Sequence, residues 1–477
     1  MPKAAFVFPA ASGHTNPSLP LARALVERGW DVDYLHSPQF QEAIEDTGAT
    51  FVDRDLAFKE SAAPSGGSEL GIDDYTAMVK ATLTEYGASA PWALNFGSIA
   101  AQRLLPAYVR WLQSRGPDLV VYCPVAHFAS VKLAIPDVSL LTAAGPGFFD
   151  AAIASTPGAP SSDALIAAIK GSEPNLKAVE ALKAEMGMPE LTLNTETGLP
   201  LICDYYAATN LVTTTPELAD PVSKRDEEYY SKVGKKFVYV GPLLDVAGAK
   251  RAGGMLHAGG SEADSSPPDT EALMARATTA ARMIVYVSLG TVVTSDDESH
   301  GWTATSGSAI TGRQLCQASC SAAREAPFRP QPAAFEGIDV PSNSLSASSW
   351  PQVDLLRKAR PVLFVTNGGQ NSLMESAAVG TPVVVCPGFG DQVTNAAKVV
   401  AQGWGVAVDR PAALADGAEA EEEAAVVSSY QAAVRRAVEE VLGGDEYASK
   451  AKAVAAGLER AGGVEAAVRV LLEVANV

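Results

Sequence analysis

Short apolar runs rich in β-branched residues recur along the chain, most of them followed by a turn and then by apolar residues at helical spacing, a rhythm that reads as α/β architecture. Residues 4–8 form the first run, and 32–35, 119–122, 138–142, 211–214 and 237–240 continue the series. After a gap come 284–287, 362–365 and 383–386. Between the first two strands Asn16 or Ser18 can cap a helix, Pro17 and Pro20 fall in its first turn, Leu21 and Leu25 form its apolar face, and Gly29 closes it. Residues 40–111 read as helical segments around a Gly/Ser-rich loop at 62–68.

The pattern also divides the chain. The strand-helix rhythm of 1–245 breaks in 246–281, where Gly, Ala, Ser and Pro dominate and large apolar residues are few, so this stretch reads as a linker. A second α/β region, 282–445, follows, and then 446–477, strongly helix-forming. Within 282–445 the stretch 326–350 is weak: PFRPQPAAF carries three prolines and NSLSASS has no apolar run, so neither makes a good central strand.

Composition narrows the class. With 477 residues, 47% of them hydrophobic and 19% charged, the chain can fill two cores. A formal net charge of −19 argues against nucleic acid or an anionic membrane as partner. The five cysteines show neither zinc spacing nor the even count of a disulfide framework, which fits a reducing, cytoplasmic setting. The apolar stretch behind Lys3 is interrupted by Pro9 and reads as a buried strand rather than a leader, and no run is long enough to span a membrane.

Candidate chemistry gathers in 361–405. A glycine turn between a parallel strand and a helix lets backbone N–H groups and the positive helix end approach an anion, so residues 367–372 are a candidate phosphate site. Asn371 and Glu375 share one helix face that leans back toward that end. A carboxylate beside a diphosphate is repelled, so Glu375 suits hydroxyls such as those of a ribose, and Asp391 with Gln392 suits sugar hydroxyls. His14 follows the first strand at its carboxyl end, where ligands bind in such folds, and its ordinary pKa suits a general base. The triplet Asp31-Val32-Asp33 reads as charge at a strand end, not as a metal site.

The series Thr366, Asn367, Gly368, Gly369, Asn371, Ser372, Glu375, then Gly380 and Pro382, then Asp391, Gln392, Asn395 and Ala396 resembles the C-terminal signature of the UDP-sugar-dependent glycosyltransferases, the branch holding macrolide and plant natural-product transferases. Three further stretches resemble the same family: Gly13 to Pro17, Ser288-Leu289-Gly290-Thr291, and Ser349-Trp350-Pro351-Gln352. The resemblance implies two Rossmann-like α/β domains facing a cleft, the GT-B arrangement, with the last helix bracing the first domain through Val464, Val468, Leu471 and Leu472. It implies phosphate contacts at Ser288, Gly290, Thr291, Gly368 and Gly369, uracil stacking on Trp350, and donor contacts by Gln352, Asn371, Ser372, Glu375, Asp391 and Gln392.

The implied reaction is inverting transfer of a hexose from a UDP-sugar to a hydroxyl of a small lipophilic acceptor, with His14 as base and no metal or other cofactor. Two positions depart from the family. Asn367 stands where a phosphate-contacting His is usual, and Cys123 stands where an Asp orients the catalytic His. These departures predict weak activity and, with the weak region 326–350, keep open a catalytically silent nucleotide-sugar-binding or partner protein of the same fold; a sugar-nucleotide epimerase shares the architecture but needs acid/base carboxylates that the sequence does not place.

Overall fold

The computed structural model describes residues 1–60, 105–123, 133–154, 171–187, 206–252, 284–290, 350–388, 390–412 and 420–476, with isolated positions between them. The chain forms two compact units, Met1–Asp245 with Gly462–Val477, and Val246–Ala461.

The first unit has, among the described residues, seven parallel strands: β1 Lys3–Val7, β2 Asp31–His36, β3 Thr50–Asp53, β4 Leu119–Tyr122, β5 Asp137–Leu141, β6 Thr209–Val212 and β7 Lys236–Tyr239. Their spatial order is β3-β2-β1-β4-β5-β6-β7. All four residues of β4 are buried, as are four of the five in β1, because helices cover both faces of such a sheet and leave no side of a central strand for polar residues. The chain winds outward from β1 through β2 to β3, then returns and winds the other way from β4. The carboxyl ends of β1 and β4 therefore flank the point where strand order reverses, the usual place for a ligand.

β3 is an edge strand within 40–111, which the pattern of the sequence assigned to helix and loop. Its four residues, TFVD, are too few and too mixed to produce a strand signal, and pairing with β2 makes them one. The loop at 62–68 lies outside the described residues. After a single helical turn, the first longer helix after β1 is Leu19–Glu27, and Ser18 stands at its N-cap without a capping bond. The Ser18 hydroxyl instead donates to Thr15 O at 2.7 Å and lies 2.6 Å from Tyr34 OH.

The second unit has, among the described residues, four parallel strands: β8 Val285–Ser288, β9 Leu363–Thr366, β10 Val383–Val385 and β11 Gly405–Ala407, in the order β11-β10-β9-β8. β11 is a three-residue edge strand with no signal of its own in the sequence. Residues 326–349 of the weak region and Thr291 lie outside the described residues. The linker expected over 246–281 is described only to residue 252. That part is tied to the second unit: the Gly248 N–H donates to Asp354 Oδ2 at 3.0 Å, and Arg251 pairs with Glu375.

The brace expected over 446–477 is shorter than its helical composition implied. Glu446–Arg460 belongs to the second unit, where its Lys452 lies against Gly380. Gly462 and Gly463, at φ +88° and +53°, turn the chain, and only Gly463–Val474 joins the first unit. There the Gly463 N–H donates to Val240 O at 2.7 Å, and Arg28 grips Glu465 at 2.7 and 2.9 Å. The buried stripe is Ala467, Val468 and Leu471, while Val464 and Leu472 are half-buried.

Candidate functional site

In the first unit, β1 runs into the single helical turn Ser12–Thr15, which places His14 beyond the strand's carboxyl end. The turn is pinned from beneath. Thr15 Oγ1 donates to Ala11 O at 3.1 Å and lies 3.0 Å from His36 Nε2. The His36 Nδ1 accepts the Ser37 N–H at 2.9 Å, so the proton of this buried ring sits on Nε2 and is donated to Thr15. With its neighbour held in this way, His14 extends toward the ends of the two adjacent strands. Its Nδ1 lies 3.0 Å from Thr142 Oγ1, the residue after β5, and 3.4 Å from Cys123 Sγ, the residue after β4.

Both contacts are to neutral groups. Burial pushes the Cys123 thiol up to about 12, so it carries no charge near neutrality, and burial lowers His14 to about 4, so the imidazole is neutral as well. The carboxylates nearest in sequence point elsewhere. Asp118, at the amino end of β4, accepts the Lys3 N–H at 2.8 Å, and Asp31 and Asp33 face Lys3 and Arg115 at 3.9 and 3.6 Å. Thr142 was not singled out from the sequence. Its signal was available: it is the residue that ends the run VSLLT, on the strand next to β4.

In the second unit, β9 leads through Asn367-Gly368-Gly369 into the helix Gln370–Ala378. Gly368 sits at φ +86°, and a Cβ there would fall 2.6 Å from Val385 Cγ1, so close packing against β10 requires glycine at this point. The turn's N–H groups are weakly engaged by their own surroundings: Gly368 N–H to Thr366 Oγ1 at 3.3 Å, Gly369 N–H to Asn367 Oδ1 at 3.4 Å, and Gln370 N–H to Asp391 Oδ2 at 3.2 Å. Asp391 opens the helix Asp391–Gln402 and its carboxylate rests on the end of the neighbouring helix dipole. Gln392 Oε1 accepts the Gly388 N–H at 2.8 Å.

Asn367 is buried, and its Nδ2 lies 3.1 Å from where a Cβ on Gly290 would stand, so the side chain wedges between the 288–290 loop and the glycine turn. Ser288 ends β8, Asn371 is half-buried on the first turn of its helix, and Trp350 is buried just ahead of the helix Gln352–Ala359.

Glu375 is 4% exposed and fully engaged. Its Oε1 accepts from Arg251 Nη2 at 2.6 Å and its Oε2 from Gln352 Nε2 at 2.7 Å. Gln352 also donates to Ser372 Oγ at 3.1 Å and accepts from Tyr286 OH at 3.0 Å. Arg251 and Gln352 thus converge on one carboxylate from separated stretches, and Tyr286, from a third, holds Gln352. Arg251 and Tyr286 escaped sequence reading because one lies in an apparent linker and the other inside a strand.

Residues 253–432 match the family model for UDP-glucuronosyl and UDP-glucosyl transferases. An uncharacterized UDP-glucosyltransferase of Bacillus subtilis (strain 168), YojK, is 33% identical over 135 residues, which are 28% of this chain and 29% of that protein. The chain therefore spans less than a third of that relative's length. Among solved structures, a kitacinnamycin glycotransferase is similar over 99% of this chain and 98% of its own at TM-score 0.61 and 19% identity. The spinosyn rhamnosyltransferase SpnG, solved with thymidine diphosphate, is similar over 99% and 100% at TM-score 0.57 and 16% identity. Among the described residues no helix is long and apolar enough to cross a membrane. The fold is similar to that of these solved GT-B glycosyltransferases, and the stretch that matches the family model, residues 253–432, includes the Gly368 turn and Glu375.

Proposed function

We propose that the protein is an inverting glycosyltransferase that moves a hexose from a UDP-sugar to a hydroxyl of a small lipophilic acceptor. The observation that carries this reading is the strand-turn-helix around Gly368 and Glu375, which lies inside the matched family domain. The N–H bonds at Gly368 and Gly369 are 3.3 and 3.4 Å, at the long end of the hydrogen-bond range, so exchanging them for phosphate oxygens costs little. As the bond from the anomeric carbon to the diphosphate breaks, its electron pair leaves with the diphosphate. The fixed dipoles of the turn and of the Ser288 to Gly290 loop, with Thr291 beyond it, stabilise that charge.

Glu375 and Gln352 then meet the ribose. Each carboxylate oxygen has a second lone pair for a hydroxyl while keeping Arg251 or Gln352, and Arg251 offsets the carboxylate's repulsion of a nearby diphosphate. Trp350 serves the base, Asn367, Asn371 and Ser372 line the phosphate end, and Asp391 and Gln392 serve the sugar. The acceptor hydroxyl gives its proton to His14 Nε2 as its oxygen attacks.

A second reading, a silent nucleotide-sugar-binding protein, is favoured by one observation: the partners of His14 are a hydroxyl and a neutral thiol rather than a carboxylate. Incubation with UDP- and dTDP-sugars and a mixture of acceptors, with free nucleotide and glycosylated product both measured, separates the readings. Glycoside formation with stoichiometric UDP release supports the transferase. Binding without turnover supports the silent protein, and an epimerised sugar would replace both.

A further inference from the structure

The geometry points to Thr142 as the positioning residue for His14, holding the ring through Nδ1 so that Nε2 stays free to receive a proton; this rests on the reading of His14 as the base. A neutral imidazole carries one proton, and a ring that accepts a proton at Nε2 must carry that proton on Nδ1. Nδ1–H therefore needs an acceptor. Among the described residues two atoms are within reach, Thr142 Oγ1 at 3.0 Å and Cys123 Sγ at 3.4 Å. The oxygen is nearer and the stronger acceptor, since a protonated thiol accepts weakly. Thr142 is also the stiffer support. Its β-branched side chain has few rotamers, and it directly follows Leu141, which is paired with Val212 of β6.

A hydroxyl differs from a carboxylate in a way that matters here. A carboxylate only accepts, so it forces the proton onto Nδ1, whereas a hydroxyl can also donate to Nδ1 and leave the proton on Nε2. Thr142 thus biases the tautomer without enforcing it, and it brings no negative charge to balance the imidazolium that forms. It acts on the fraction of rings ready to react and not on the binding of the donor.

The test uses the full-length protein labelled with ¹⁵N at histidine. Ring-nitrogen spectra of the wild type should show His14 with its proton mainly on Nδ1. Thr142→Val, close in shape and unable to hydrogen-bond, should shift the population toward Nε2–H and lower kcat at least about tenfold with the donor KM changed less than about twofold. Thr142→Ser should restore both. An unchanged tautomer ratio in Thr142→Val would overturn the assignment, as would equal loss in the Val and Ser variants. If transfer survives His14→Ala, the base reading fails, yet the spectra still decide whether Thr142 holds the ring.

Discussion

His14 and Glu375 are each held from two sides, but by partners of opposite character. The imidazole meets a hydroxyl and a thiol, both neutral, and its own charged form is suppressed by burial. The carboxylate, less exposed than the half-buried imidazole, meets a guanidinium at 2.6 Å and an amide at 2.7 Å. A buried carboxylate is tolerable when it is paired and hydrogen-bonded, and Glu375 has both kinds of partner. A buried neutral base has no such provision for the charge it gains in the reaction. Of the two proposed centres, the second unit is therefore electrically prepared for its ligand and the first is not.

The sharpest way to break this contrast is at the first centre. His14→Ala should remove transfer by at least about 10²-fold, the usual contribution of a general base, while UDP binding by calorimetry stays within about twofold. Cys123→Asp should raise kcat by on the order of tenfold or more, because loss of the orienting carboxylate from a serine-protease triad costs on the order of 10⁴. A fast wild-type enzyme unaffected by Cys123→Asp would show that the neutral partners are no handicap, and one unaffected by His14→Ala would show that His14 is not the base.

At the second centre, Glu375→Ala should weaken UDP by about 1.5–3 kcal/mol, roughly 10- to 150-fold, through loss of a charged hydrogen-bond partner. Equal affinity by calorimetry would detach the carboxylate from the ligand and leave it a purely internal anchor for Arg251.

The third expectation concerns acid. His14 and His36 are lowered by burial, to about 4 and about 3, against 6.5 for an exposed ring. As pH falls below about 6.5 the unfolded chain takes up these protons first, so the stability they contribute is complete above that value. It is then lost on the way down to about 4 and about 3, at up to about 1.4 kcal/mol per pH unit for each ring. Urea melts at pH 7.5 and 5 should show a smaller difference in His14→Ala than in the wild type. Identical differences would place the His14 ring in water.

The smallest effect is expected at Asn367, whose amide is a neutral donor. UDP affinity should be nearly constant between about pH 5.5 and 8, and Asn367→His should tighten it about threefold at the acid end, where an imidazolium faces the phosphate. Because Asn367 lies between Gly290 and Gly369, an unchanged affinity would mean that the side chain only braces the two loops.

Much of this was legible in the residues alone, and for definable reasons. Strands buried on both faces, such as LVVY at 119–122, must be continuous apolar runs, and glycines such as Gly368 must appear where a turn passes under a neighbouring strand. Short-range patterns of this kind carry the α/β class, the places of His14 and Cys123 at strand ends, and the shared face of Asn371 and Glu375. Edge strands of three or four residues, Gly405–Ala407 and Thr50–Asp53, left no trace because pairing alone makes them strands. The halving of the C-terminal helical stretch was marked in the sequence by Gly462-Gly463, but which unit each half joins was decided by packing.

What only the tertiary structure decided is which side chains touch. Thr142 and His14 are 128 positions apart, and Arg251 and Glu375 are 124 apart. No periodicity reaches across such distances. Strand order brings β5 beside β4, and the fold lays residue 251 against the helix that carries Glu375. The sequence by itself determined the chemical groups and the ends of the strands on which they stand. Whether each group would meet a neutral or a charged neighbour was decided by how those strands and helices pack.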